Sequence, residues 1–115
     1  MPATRSARTT ARLGLVALGA TAATFALPAM TSDASSLNHD LYKLRRCESG
    51  NNWHADTGNG YYGAYQFARS TWHGLGYRGR PDRAQPQTQS DAAIKLHSRS
   101  GWRPWPSCAR KEHLR

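Results

Sequence analysis

The chain has 115 residues, and its 16 Lys and Arg against seven Asp and Glu give a formal charge of +9. That length leaves room for one small domain with a thin core, and the sequence shows no internal repeat. Its longest apolar run, about 15 residues, falls short of a membrane span.

The apolar run is Leu13 to Leu27, preceded by Arg5, Arg8 and Arg12, with no acidic residue before Asp33. A positive segment followed by a short continuous apolar one is the pattern of a secretory leader. A mitochondrial presequence shares the arginines but would alternate polar and apolar faces. Ser32-Asp33-Ala34 offers a small-x-small cleavage site and Leu27-Pro28-Ala29 a second. The expected division is a leader over 1–34 and one domain over 35–115. The domain keeps 13 basic and six acidic residues, a charge of about +7. Its two cysteines, Cys47 and Cys108, stand 61 positions apart, so one bridge is available without ambiguity of connectivity. Closing a loop that long is worth about 4 kcal/mol in an oxidising compartment. No C-x-x-C or Cys/His cluster offers a metal-binding alternative, and no cofactor is expected.

A first helix is predicted from Asn38, as its cap, to about Ser49, with Leu37, Leu41, Leu44 and Cys47 as the apolar stripe and Gly50-Asn51 as the stop. Asn59-Gly60 predicts a type I′ hairpin turn, with Tyr61, Tyr62, Tyr65 and Phe67 on its far side. A short helix follows over Ala68 to Gly76, and then GYRGRPDRAQPQ reads as an exposed basic loop. A last long helix is expected to start near Thr88 with a capping-box-like Thr88-Gln89-Ser90-Asp91. It buries Ala92, Ala93 and Leu96, with Ile94 a further core candidate, and stops at Gly101. Trp102-Arg103-Pro104-Trp105-Pro106 is read as a rigid turn returning Cys108 toward the first helix. The class is α+β, mostly helical with a small hairpin.

Six carboxylates remain in 35–115. Asp40 and Asp91 are placed in first turns of helices, where negative charge is favoured. Asp82 and Glu112 are read as solvated. Glu48 differs, because it lies in a last helical turn, where the helix dipole disfavours an ionised carboxylate. If rings from the following segment also strip it of water, the protonated form is favoured and the residue becomes a general acid. The plain alternative is a surface Glu paired with Arg45 or a nearby basic residue. Trp53, Tyr61, Tyr62, Tyr65 and Trp72, interleaved with Asn51, Asn52, Asn59 and Gln66, weigh against that alternative. Flat apolar faces beside amide side chains are what a saccharide groove requires. Within this set Trp72 is read as core, and Trp102 and Trp105 as packing around a bridge. A glycosidase normally uses two carboxylates. Asp56 is the candidate partner, although Asp56-Thr57-Gly58 is also an ordinary turn.

CESGNNW, TGNGYYGAYQF, STW and GWRPWPSC, in that order, resemble the catalytic domain of the actinobacterial resuscitation-promoting factors, over Leu37 to Arg115. The resemblance implies a small lysozyme-like fold related to lytic transglycosylases. It implies an enzyme acting on peptidoglycan between N-acetylmuramic acid and N-acetylglucosamine, with Glu48 as catalytic acid and a Cys47–Cys108 bridge. The family's substrate-groove positions fall on Trp53, Asn59, Tyr61, Gln66 and Thr71. The chain departs from the family in carrying Asp56 where Asn is frequent, and Ala64-Tyr65 where a Gly and a smaller residue are common. The mechanism so implied uses one carboxylate twice, first as acid toward the leaving oxygen and then as base toward the sugar's own 6-hydroxyl. The expected partners are peptidoglycan glycan strands and other cell-wall hydrolases, with the domain a secreted, cell-wall-associated monomer.

Three other readings compete with this one. A nucleic-acid binder would use Arg78, Arg80 and Arg83 with the aromatics as stacking platforms, but secretion argues against it and no binding motif is present. A membrane-active peptide needs a basic amphipathic helix that the chain lacks, so no membrane insertion is expected once the leader is removed. The serious rival is a non-catalytic glycan-binding or signalling module that uses the same groove and differs only at Glu48.

Overall fold

The computed structural model describes residues 32–115, so the expected leader lies almost wholly outside the described residues. α1 spans Ser32–Ser49. It starts six residues before the expected Asn38, because Ser32 to Leu37 contains no breaker and Asp33 sits favourably in the first turn. Asn38 is therefore a mid-helix residue, and so is Asp40, which pairs with Lys43 at 3.6 Å. The helix stops where expected. Gly50 and Asn51 both take left-handed backbone (φ 68° and 65°), and their N–H groups donate to the carbonyls of Arg46 and Arg45.

The hairpin is real, but its turn lies elsewhere. β1 (Tyr61–Tyr62) pairs antiparallel with β2 (Phe67–Ala68) in the register Tyr61↔Ala68, Tyr62↔Phe67. The chain reverses over Gly63 to Gln66, with φ 81° and 54° at those two residues. Asn59-Gly60 is not a type I′ turn, since only Gly60 of the pair has positive φ. It lies in the longer connection between Asp56 and Tyr62, which form an isolated bridge. Tyr65 is accordingly no strand residue. It is fully buried in the turn, its carbonyl accepting the Trp105 indole N–H at 2.9 Å.

α2 (Arg69–Gly74) buries Trp72, and Leu75 caps it. The basic loop is less exposed than expected: Pro81–Arg83 form a 3-10 turn in which Pro81 and Asp82 are buried. Arg80 Nε and Nη2 donate to the Asp82 carboxylate at 2.9 and 2.7 Å, which is why a buried Asp is tolerated there. α3 spans Pro86–Ser100, starting with Pro86 as a first-turn proline rather than with a Thr88 capping box. Asp91 thus lies in the second turn, accepting a hydrogen bond from Gln87. Gly101, at φ 62°, ends the helix. Ala92, Ala93 and Leu96 are buried, whereas Ile94 is exposed. The segment expected as a rigid turn continues into α4 (Pro106–Lys111), which Pro106 opens.

Leu41, Leu44, Tyr65, Phe67, Trp72, Trp105 and the α3 alanines form one core. Gln89, fully buried, ties the hairpin to α3: its Oε1 accepts from Ala64 N–H, and its Nε2 donates to the Trp53 and Ala84 carbonyls. A Cβ at Gly63 would stand 2.5 Å from that Oε1, so glycine is required there by close approach as well as by φ. The Cys47–Cys108 disulfide joins α1 to α4 across a Cα–Cα distance of 5.8 Å. Among the described residues no helix is long and apolar enough to cross a membrane.

Candidate active site

Glu48 is the penultimate residue of α1, one position past Cys47. The disulfide fixes this turn to α4 from one side, and on the other the Ser49 hydroxyl donates to the Ala64 carbonyl at 2.8 Å. The carboxyl is half-buried, and burial pushes its pKa above the ordinary value near 4.5. Among the described residues no ion pair reaches it. Arg45, the partner that the rival surface reading would give it, turns away: Nε donates to Asn51 Oδ1 at 2.6 Å and Nη1 to Tyr65 Oη at 3.1 Å.

Glu48 opens into a groove of about 300 Å³ that it shares with Asn59, Tyr61, Gln66, Pro104, Trp105, Pro106 and Ser107. The amides are held by local bonds. Asn59 Oδ1 accepts from Tyr61 N–H at 3.0 Å, and Gln66 Nε2 donates to the Gly63 carbonyl at 3.0 Å. Gln66 does this from left-handed backbone, a conformation costly for a residue with a Cβ. Tyr61 presents a half-exposed ring (49%) as an open wall. A smaller recess of about 50 Å³ continues past Tyr61, Gln66, Pro104 and Trp105 and brings in Thr71.

Two of the aromatic and acidic candidates lie elsewhere. Trp53 lines neither space; its ring packs edge-on to Tyr65 at 6.0 Å and carries the Arg45 guanidinium at 5.0 Å. Asp56 is bound to Arg80 Nη2 at 2.9 Å, and Arg80 also lies over the Tyr62 ring at 4.6 Å. It is not among the residues lining the groove. The opposite wall, Pro104 to Ser107, is a segment whose sequence suggests only turn and packing. A signal for it was present: a Cys47–Cys108 bridge places the residues just before Cys108 beside the residue just after Cys47, which is Glu48. Two prolines in that wall fix their own φ and so limit its backbone freedom. Among the described residues no cluster of His, Cys, Asp or Glu fits a metal ion.

A half-buried acid facing an aromatic and amide groove, in a small helical domain with one hairpin and one disulfide, agrees with what sequence comparison finds. The model of the transglycosylase-like domain matches residues 35–108, and the chain belongs to that family. The α+β, lysozyme-like class expected from the sequence holds. The chain is also similar to resuscitation-promoting factors. It is 38% identical to Rpf of Micrococcus luteus over 95% of this chain and 48% of that protein. It is 39% identical to RpfB of Mycolicibacterium smegmatis over 86% of this chain and 26% of that protein. It is 39% identical to RpfD of Mycobacterium tuberculosis H37Rv over 72% of this chain and 53% of that protein. The chain thus spans about half the length, or less, of the curated relatives it matches.

Proposed function

We propose that the domain over 35–115 is a secreted lytic transglycosylase that cleaves the N-acetylmuramic acid to N-acetylglucosamine bond of peptidoglycan, with Glu48 as its general acid and base. The observation that carries this reading is the uncompensated, half-buried Glu48 carboxyl opening into a groove of amides and rings. Glu48 gives its proton to the glycosidic oxygen as the C1–O bond breaks, and the leaving sugar departs as an alcohol. The ionised Glu48 then accepts the proton of the muramic 6-hydroxyl, whose oxygen bonds to C1 and closes a 1,6-anhydro ring. Each proton is accounted for, and Glu48 returns to its acid form. Asn59 and Gln66 bind hydroxyl and acetamide groups, Tyr61 stacks on a sugar face, and Thr71 extends the groove by one further polar contact.

Asp56 supports the single-carboxylate route. Its carboxylate is held on Arg80 at 2.9 Å and does not line the Glu48 groove, so it is not positioned for a hydrolytic second step. The disulfide and the leader-like segment support secretion, and the names of the relatives support a role in resuscitation or wall remodelling, alongside other cell-wall hydrolases.

Incubation of purified 35–115 with peptidoglycan and mass analysis of the released fragments tests the reading. The expected result is 1,6-anhydro ends, with Glu48→Gln lowering release by about 10²- to 10⁴-fold. Reducing ends would favour a hydrolase and restore Asp56 to consideration. Unchanged release by Glu48→Gln sinks the assignment, and retained glycan binding without any release would make the domain a binding module.

A further inference from the structure

A second cleft, of about 310 Å³, lies between α1 and α3 and shares no residue with the Glu48 groove. α1 contributes Asn38, Leu41 and Arg45, and α3 contributes Gln87, Ser90 and Ile94. Both sets repeat at i, i+3 and i+7, so each helix turns one continuous face into the cleft. Tyr65 forms its floor, where its hydroxyl and that of Ser90 share a hydrogen bond at 3.0 Å.

Arg45 is the only charged residue in this lining. Its guanidinium stands 5.0 Å from the Tyr42 and Trp53 ring centroids and 6.0 Å from that of Tyr65. Two of its five N–H groups are used, by Asn51 and Tyr65. Both Nη2 hydrogens and one on Nη1 have no acceptor among the described residues, and no carboxylate pairs with them. Asp40 and Asp91, on the same two helices, are engaged by Lys43 and Gln87 and do not line the cleft. A cation sheltered by rings and left without a counterion is a preformed anion site, because desolvation strengthens its attraction for an incoming charge. A single positive charge selects a single negative one. The neutral amides of Asn38 and Gln87 and the apolar Leu41 and Ile94 complete a lining for a peptide rather than for a bare ion.

We propose that this cleft is a second binding site, taking the free carboxylate end of a short, otherwise uncharged peptide. The carboxylate lies on Arg45 Nη2, the peptide bond meets the Asn38 and Gln87 amides, and a small aliphatic side chain rests on Leu41 and Ile94. Such a peptide could hang from the wall polymer assigned above to the groove; the site depends on that reading only for the source of its ligand, not for its chemistry.

The test reads binding and not turnover, so its outcome is separate from that of the reaction at Glu48. The ¹⁵N-labelled domain is titrated with N-acetyl-alanyl-alanine, with the same dipeptide capped as its C-terminal amide, and with inorganic phosphate, while amide and Arg Nε resonances are followed. The free acid is expected to shift Asn38, Arg45, Gln87 and Ser90 saturably, and the capped peptide to bind at least about tenfold more weakly. Arg45→Gln removes the response. Gln87→Glu, at an exposed lining position, adds a carboxylate to the cleft at the cost of the hydrogen bond to Asp91, and weakens binding by a similar factor. Equal binding of the capped peptide overturns the proposal. So does saturation by phosphate at lower concentration, a response confined to the Glu48 groove, or full binding by Gln87→Glu.

Discussion

Glu48 stands in two unfavourable settings at once, the last turn of a helix and a half-buried groove wall, and both act against its ionised form. Because burial raises its folded-state pKa above the ordinary value near 4.5, its contribution to stability is present below that value. The contribution is lost as pH rises through the folded-state pKa. Glu48→Gln should therefore melt at a higher temperature than the parent at pH 7, and the difference should close as the pH is lowered toward 4. Thermal melts at a series of pH values check this, and a variant less stable at pH 7 would deny that the carboxylate is held at a cost. The residue was legible as a candidate because an acid beside a helix stop and a cysteine is unusual in so basic a chain. Its freedom from Arg45 was not legible, because that depends on Asn51 and Tyr65 outcompeting it for the guanidinium. The surroundings of Trp53 were not legible for a related reason: its spacing suits a sugar platform, and only the structure shows that its ring carries Arg45 and packs on Tyr65.

Among the elements, the hairpin bears most on the site, since Asn59, Tyr61 and Gln66 all belong to it or to its approach. Two strands of two residues cannot hold themselves. Gln89 supplies the anchor, with one amide bonded to three backbone groups of the surrounding loops and no exposure to water. Gln89→Leu should leave those groups unsatisfied and cost about 3 kcal/mol, lowering the melting temperature by more than about 10 °C. Denaturant or thermal unfolding measures it, and a loss below about 1 kcal/mol would show that the anchor lies elsewhere. The helices were readable because their apolar residues recur at three and four positions and because Gly50 and Gly101 mark their ends. The starts of α1 and α3 were not. A tolerant Ser-Asp-Ala-Ser-Ser run and a Pro at a first turn both permit a helix without announcing one. The hairpin turn was misplaced because Asn59-Gly60 is the stronger local signal. Gly63 is set by its contact with Gln89, 26 positions away in sequence, and no local pattern carries that information.

At the scale of the whole domain, charge and covalent closure set the terms. An excess of basic residues is balanced locally only at Lys43 with Asp40 and at Arg80 with Asp56 and Asp82 among the described ion pairs. The remaining positive field favours anionic surroundings through salt-screened attraction. The Arg80 cluster answers pH in the sense opposite to Glu48. Arg80 holds the Asp82 carboxyl below its ordinary value near 3.8, so that contribution persists above this value and is lost as pH falls through the folded-state pKa. Acid and neutral pH thus load different parts of one small fold.

The Cys47–Cys108 bond has a topological result as well. It encloses the chain from the acid's neighbour to the far wall of the groove, including the exposed Arg78, after which trypsin can cleave. A single cut there leaves two fragments that stay bonded and keep both walls of the groove in register. On a non-reducing gel the cut protein should run as one band, and it should part into two only after reduction. Separation without a reductant would mean that the loop of 61 positions is not covalently closed. A cut inside the enclosed loop thus separates the chain without separating the two walls of the groove.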